Sequence, residues 1–492
     1  MTRWCYVPDT EQTSSFRATL LVMSSRRAVR SLVAASTATL ALALSTATSP
    51  ASAGITRDPQ PWESVATGHR GALAARPVPI SGDSDTGAWT RGVPLVTSAG
   101  SALGPATGAQ RTSADLTWSI RASLFSRGST SQLGSSVSGQ VVDAATGRVL
   151  WARNPATARV PASNQKVVTA FVALASMGVS ARLTTSVLQA PTNPALVHLR
   201  GAGDPALSSA QLRSMARSVA SRVTSQGMSA VSVVVDDSLF PAPTNAPGWK
   251  PEWVPGTVAP VRALVVDQAN VSDTSMHAGQ VFATELKAAG VTATSVARGV
   301  TPADASAIAS VTSPTVGQLV QTMLNASHND YAEALHRLSA LRRGLPATWE
   351  GARTNSAQVL AAAGVDRAGM VVNDGSGLSR TGRMTALTAV DLIATIRATP
   401  ALNSVVFAGS GMPTSGVSGT LAGRYDTAPT MCARGDIRAK TGTLADVVAL
   451  SGVSTGVDGR ERLFSVLVNG VTSTNAARDD VDALAATSTG CY

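Results

Sequence analysis

Ser163 and Lys166 stand three residues apart in PASNQK, at the start of the apolar run VVTAFVALASMG. On a helix that spacing puts both side chains on one face, within hydrogen-bond reach. A serine hydroxyl is a poor nucleophile until something takes its proton. Lysine, ordinarily at ~10.4, can take it only where burial or nearby cations depress its pKa. Arginine could not serve, because its guanidinium stays charged in proteins. The chain holds four lysines, Lys166, Lys250, Lys287 and Lys440, among forty basic residues. Its composition prefers arginine, and each remaining lysine invites a chemical reason. The helix N-terminus would favour an oxyanion developing on a substrate carbonyl.

Alone, Ser-x-x-Lys is a weak signal: four lysines and 56 serines in 492 positions give about 0.5 matches by chance. Two further motifs change the weighing. ASHN sets Ser327 and Asn329 two apart at a helix–helix junction, a hydroxyl to relay protons and an amide to hold a substrate or a lysine. AKTGTL sets Lys440, Thr441 and Gly442 in a strand near the C-terminus. There a cation and a hydroxyl could grip a carboxylate, and glycine lets a substrate lie close along the strand. Ser327 and Asn329 by themselves would be an ordinary helix cap. In this order the three motifs form the set used by class A β-lactamases and penicillin-binding proteins. Two of the four lysines thus fall where that chemistry needs one.

The elements that must carry these residues are legible in outline. SSVSGQVVD and RVLWARN, joined by AATG, read as an antiparallel hairpin, and NQKVVTAFVALASMG as a buried helix stopped by Gly178. PALVHLRGAGDPALSSAQL and SAVSVVVDDSLF carry strand-like runs flanking a helical SSAQLRSMARSVASRVTSQG, followed by the turn-rich PAPTNAPGWKPEWVPG. HAGQVFATELKAAGV, the segment from Ser313-Pro314 to RRG, and MTALTAVDLIATIRATP read as helices. The end is β-rich: DIRAKTGTL, VVALSGVST and RLFSVLVNGV, then a closing helix NAARDDVDALAAT. Strands at both ends with helices between predict one sheet closed by the two termini, the middle β segment being an insertion. The expected divisions are an N-terminal extension and signal over 1–53, a Gly/Pro/Ser-rich spacer over 54–114, and catalytic parts over 115–182 and 273–492. The inserted domain would span 183–272.

The chain resembles the D-alanyl-D-alanine carboxypeptidases of the low-molecular-mass class C penicillin-binding proteins, which often also act as endopeptidases. Beyond the three motifs, the resemblance rests on LRGAGDPAL, VVVDDSLF, PGW, NDGSGLSR and RAKTGTLADVVALSG, and it runs from about residue 115 to the end. It implies a mixed α/β (α+β) transpeptidase/β-lactamase-like domain, an antiparallel sheet flanked by helices, plus a small β-rich inserted domain. It also implies Ser163 as acylated nucleophile, Lys166 as its base, Ser327 as proton shuttle to the leaving amine and Asn329 as a peptide-positioning group. Lys440 and Thr441 would bind the terminal carboxylate, Gly442 would admit the substrate, and the N–H groups of Ser163 and Thr443 would form the oxyanion hole. Asp374, Gly375 and Ser376 would lie near the site. The implied partners are peptidoglycan stem peptides, with β-lactam antibiotics as inhibitors and no cofactor. These enzymes usually carry a longer insert between the first two motifs, whereas here RALVVDQAN leads almost directly to DTSMHAGQ. Gly382 stands where asparagine is expected.

Export is expected. SSRRAVR, an apolar SLVAASTATLALALSTATSP and a small-residue ASA form a secretion signal, with Met23 as a candidate initiator. SRRAVR also resembles a twin-arginine signal, an ordinary Sec n-region being the favoured reading. Five arginines against Asp9 and Glu11 give residues 1–53 a net +3, so the remainder of the total +10 is +7. That excess is scattered, without the interleaved aromatics of a nucleic-acid stripe, and predicts no nucleic-acid partner. No second apolar run approaches a membrane span, so the mature chain is expected to lack a transmembrane helix. With Cys5 lost with the signal, Cys432 and Cys491 predict one disulfide. The five histidines are dispersed and imply no metal. GAGDPA is a lone dinucleotide-type match with Pro205 early in the would-be helix, and carries little.

Two rivals share these residues. A serine β-lactamase of class A would add a Glu-x-x-Leu-Asn loop for the deacylating water, and none occurs between Asn329 and Lys440. A non-catalytic wall-binding or sensor protein would have no need of titratable lysines at both motifs.

Overall fold

The computed structural model describes residues 113–130 and 133–491. The signal and all of the spacer except its last two residues lie outside the described residues. The first helix, α1 (Ser113–Arg127), begins within the segment read as spacer and anchors through Ile120 and Leu124, both fully buried. The hairpin β1 (Val137–Asp143) and β2 (Val149–Arg153) follows. Then comes α2 (Gln165–Met177), buried on every side, as its unbroken apolar run requires. Gly178, at φ 86°, ends it in a conformation that glycine adopts without cost.

The inserted region comprises β3 (Thr184–Ala190), β4 (Asn193–Arg200), α3 (Ser209–Ser225), β5 (Ala230–Asp236), α4 (Thr274–Ala288), β6 (Thr292–Arg298) and β7 (Ser306–Thr312). Its strands form a sheet in the order β6-β5-β4-β3-β7. β4–β5 and β5–β6 pair in parallel, with β3 and β7 antiparallel at the other side. α3 and α4 bury a separate core with β4 and β5 through Leu212, Val219, Val233 and Phe282. This corrects the boundary at 272/273: the inserted sheet continues through β6 and β7. Those strands, TATSVAR and SAIASVT, are built of small residues and are largely exposed, so no strong two-residue period marks them.

The remaining elements are α5 (Val316–Ala326), α6 (Asn329–Arg342), α7 (Trp349–Ala362), α8 (Ala386–Ala398), α9 (Pro400–Val406), β8 (Ile437–Leu444), β9 (Val447–Thr455), β10 (Glu461–Asn469) and α10 (Thr474–Thr487). α5 is capped not at Ser313-Pro314 but by Thr315, whose side chain accepts from Gln318 N in a capping box just before Val316. The main sheet is wholly antiparallel, in the order β2-β1-β10-β9-β8. The two termini therefore close one sheet, as the strand pattern predicted. α1 and α10 cover one face over a core holding Ile120, Leu450, Phe464 and Leu484. The other face meets the helical layer of α2, α5, α6 and α8 through Phe171, Leu335, Ile393 and Leu467. The fold is the mixed α/β architecture the sequence implied. β8 is an edge strand, and residues 413–415 cover its free side only from Ile437 to Ala439.

A disulfide joins Cys432 to Cys491, 5.7 Å apart at Cα. It ties the chain end to the approach of β8. Among the described residues no helix is long and apolar enough to cross a membrane.

Candidate active site

Ser163 sits in a 3₁₀ turn, Ala162–Asn164, that runs directly into α2. Ala162 has φ 46°, a left-handed conformation uncommon for a residue with a Cβ. Two glycines let the chain close on this turn. A Cβ on Gly377 would lie 1.9 Å from the Ala162 carbonyl oxygen, and one on Gly442 3.0 Å from that of Pro161. The 374–379 loop and β8 can therefore approach from two directions because neither carries a side chain there.

At one end of the resulting cleft, Lys166 is wholly buried. Its Nζ donates to Ser163 Oγ at 3.0 Å, to Asn329 Oδ1 at 2.8 Å and to the Ser376 carbonyl at 2.8 Å. All three ammonium hydrogens are thus placed, and one holds the serine hydroxyl. Burial lowers the Lys166 pKa to about 8, against the opposing pull of Glu333, Asp374 and Asp330. Asn329 opens α6 and donates through Nδ2 to the Thr257 carbonyl at 2.9 Å.

The loop that supplies the Ser376 carbonyl is held from below by groups the sequence reading did not single out. Glu333, four residues after Asn329 on α6, is fully buried and accepts from Gly375 N at 2.9 Å and Ser376 N at 2.7 Å. Burial and the Asp374 charge push its pKa up to about 8. Asp374 accepts from Trp249 Nε1 at 2.7 Å, Ser379 N at 2.7 Å and Gly377 N at 3.0 Å. Its pKa is raised by burial. Thr169 on α2 donates to the Gly375 carbonyl at 2.6 Å. The segment around Trp249, counted by sequence with the insertion, therefore packs on the catalytic side. Trp249 also meets Trp349 edge-on at 5.3 Å.

At the other end, Lys440 on β8 is equally buried. Its Nζ donates to Ser327 Oγ and to the Thr441 carbonyl, both at 2.9 Å. Ser327 ends α5 in a left-handed conformation, φ 59°, which turns its hydroxyl towards β8. Burial, then the charges of Lys166 and Arg424, hold the Lys440 pKa well below the usual lysine range. The Thr441 and Thr420 hydroxyls lie 2.7 Å apart. Ser163, Ser327, Thr441, Gly442 and Thr443 line one open cleft of about 510 Å³, with Arg424 and Arg478 on its wall.

The structure thus brings together Ser163, Lys166, Asn329 and the Asp374–Ser376 loop at one end, and Ser327, Lys440 and Thr441 at the other. Cys432 and Cys491 lie apart from them as a structural bridge. Glu333, Thr169, Thr420, Arg424 and Arg478 were missed, and Trp249 was quoted only within PGW with no role at the site. For Glu333 the available signal was its four-residue spacing from Asn329, which puts a carboxylate on the same helix face. Among the described residues no group of three or more His, Cys, Asp or Glu side chains could hold a metal ion.

The sequence matches the family described as D-Ala-D-Ala carboxypeptidase 3 (S13) over residues 121–274 and 254–490. It is 34% identical over 377 residues to carboxypeptidase DacB of Mycolicibacterium smegmatis, covering 72% of this chain and 80% of that protein. It is 29% identical to the D-alanyl-D-alanine carboxypeptidase of Actinomadura sp. strain R39, covering 67% and 77% respectively. Among solved structures, penicillin binding protein 4 (dacB) from Haemophilus influenzae superposes with a TM-score of 0.66 at 18% identity, covering 76% of this chain and 99% of that one. That last likeness is one of fold.

Proposed function

The chain belongs to the D-Ala-D-Ala carboxypeptidase 3 (S13) family, and from that premise we propose that it is an exported serine DD-peptidase. It cleaves D-alanyl-D-alanine termini or cross-links of peptidoglycan stem peptides through an acyl-enzyme on Ser163, and penicillin acylates the same serine. The observation that carries this reading is a fully buried lysine amine, lowered to about 8, donating to Ser163 Oγ at 3.0 Å.

The neutral fraction of Lys166 takes the Ser163 proton as Oγ attacks the carbonyl carbon of the penultimate D-alanine. The oxyanion forms where the Ser163 and Thr443 N–H groups can meet it, on the rim of the cleft. As the C–N bond breaks, the protonated Lys166 gives that proton, by way of Ser327, to the leaving nitrogen and is neutral again. Water then attacks the ester and gives its proton to Lys166, and as the acyl C–Oγ bond breaks Lys166 returns that proton to Ser163 Oγ. Asn329 fixes the Lys166 amine through Oδ1 while its Nδ2 stays tied to Thr257. The substrate backbone lies along the open edge of β8, where strand pairing supplies register and Gly442 gives clearance. Lys440 and Thr441 meet the carboxylate of the leaving residue. Export follows from the signal-like N-terminus and from a substrate found outside the cytoplasm.

The test is the intact mass of the exported form after benzylpenicillin, beside Ser163→Ala. A lasting adduct of one penicillin, absent from the variant, together with release of D-alanine from a D-Ala-D-Ala peptide, is the expected result. Hydrolysed penicillin without a lasting adduct turns the reading towards a β-lactamase. Neither adduct nor turnover overturns it and leaves a binding protein.

A further inference from the structure

Arg478 lies just over one turn into α10 and lines the cleft that Ser163, Thr441 and Thr443 line. Its helical i+4 neighbour is Asp482, the spacing at which an arginine and an aspartate ordinarily pair. Here both Asp482 oxygens are engaged by Arg424, one by Nε at 2.7 Å and the other by a second guanidinium nitrogen. Among the described residues Arg478 therefore enters no ion pair and no hydrogen bond. Apart from the two arginines the cleft lining is hydroxyl groups and glycines, with no acidic side chain to offset them.

The lysine behind this wall is poorly equipped to hold a carboxylate alone. Two of the three Lys440 ammonium hydrogens already go to Ser327 Oγ and the Thr441 carbonyl. A carboxylate has about four acceptor positions. Burial also lowers the Lys440 pKa, whereas a guanidinium keeps its charge at any working pH.

We infer that Arg478 is a specificity-determining cation that binds the free carboxylate of the leaving residue beside Lys440 and Thr441, so that the enzyme discriminates against leaving residues whose carboxylate is amidated. Arg424, locked by Asp482, is the fixed wall that keeps Asp482 from neutralising Arg478. This rests on the DD-peptidase reading above.

The experiment compares two D-alanyl thioesters that share the acyl part and differ only in carrying a carboxylate or a carboxamide on the leaving thiol. The readout is the carboxylate-to-carboxamide ratio of kcat/KM, which does not depend on the fraction of active protein. Wild type is expected to favour the carboxylate. Arg478→Gln should lower the ratio at least about tenfold, the value of one charge-assisted hydrogen bond, mostly through KM, and Arg478→Lys should recover part of it. A ratio unchanged in Arg478→Gln overturns the inference while leaving the DD-peptidase intact. Absence of Ser163-dependent turnover of either thioester in the wild type overturns both, and the two failures are thereby distinguished.

Discussion

The two ends of the cleft hold the same group in opposite company. Lys166 and Lys440 are both fully buried, and each donates to a serine hydroxyl and to a backbone carbonyl. Burial acts on both in the same direction. Around Lys166 stand Glu333, Asp374 and Asp330, whose charges resist the fall and leave its pKa at about 8. Around Lys440 stand Lys166 and Arg424, whose charges add to the fall. Burial alone therefore does not set where a buried lysine titrates; the charges around it decide. Neighbouring carboxyls hold the Lys166 pKa at about 8, while neighbouring cations add to the lowering of Lys440.

Removing each amine in turn tests that contrast most severely. Lys166→Met should slow acylation of Ser163 by about 10²- to 10⁴-fold on any substrate, the usual worth of a positioned base. Lys440→Met should cost about ten- to a hundredfold, concentrated in KM and in carboxylate-bearing substrates. Acylation rates on the paired thioesters read both. Equal losses by the two variants on the carboxamide substrate would break the contrast.

A smaller effect sharpens it. Glu333→Gln removes a carboxyl that holds the Lys166 pKa up, so the rising limb of the acylation pH profile should move to lower pH, by up to about one unit. The glutamine can accept only one of the two backbone N–H groups that Glu333 now holds, so a lower plateau should accompany the shift. A lower plateau with the limb unmoved would mean that Glu333 acts only as a brace for the loop.

The smallest change at the site comes from the far bridge. Cys491→Ser should lower unfolding stability by about 4 kcal/mol, through the 59-residue span it closes. Acylation per folded molecule should stay the same, because neither cysteine touches the cleft. Urea unfolding with parallel active-site titration checks it.

What the sequence revealed followed from how local each signal is. The central sheet was legible because its strands are long, buried and apolar, with β8–β10 joined by short turns. α2 was legible because its apolar run is unbroken. The three motifs were legible because Ser163 and Lys166, Ser327 and Asn329, and Lys440 and Thr441 each lie within a few residues of one another. β6 and β7 were not, since strands of Ala, Ser and Thr on an exposed sheet carry little periodic contrast. Glu333, Arg424 and Arg478 were not, because their roles depend on contacts between segments far apart in sequence. Arg424 reaches Asp482, 58 residues on, and Glu333 meets Gly375 and Ser376, 42 and 43 residues on.

The account stands on Lys166 being a base with a pKa of about 8 that serves Ser163. The direct measurement is the rate of Ser163 acylation by benzylpenicillin, followed by intact mass between pH 6 and 10. Only the neutral amine can take the proton, so the rate should rise about tenfold per pH unit below the pKa and level off above about 8. A rate flat across this range, or the same rising limb retained in Lys166→Met, would contradict the central claim.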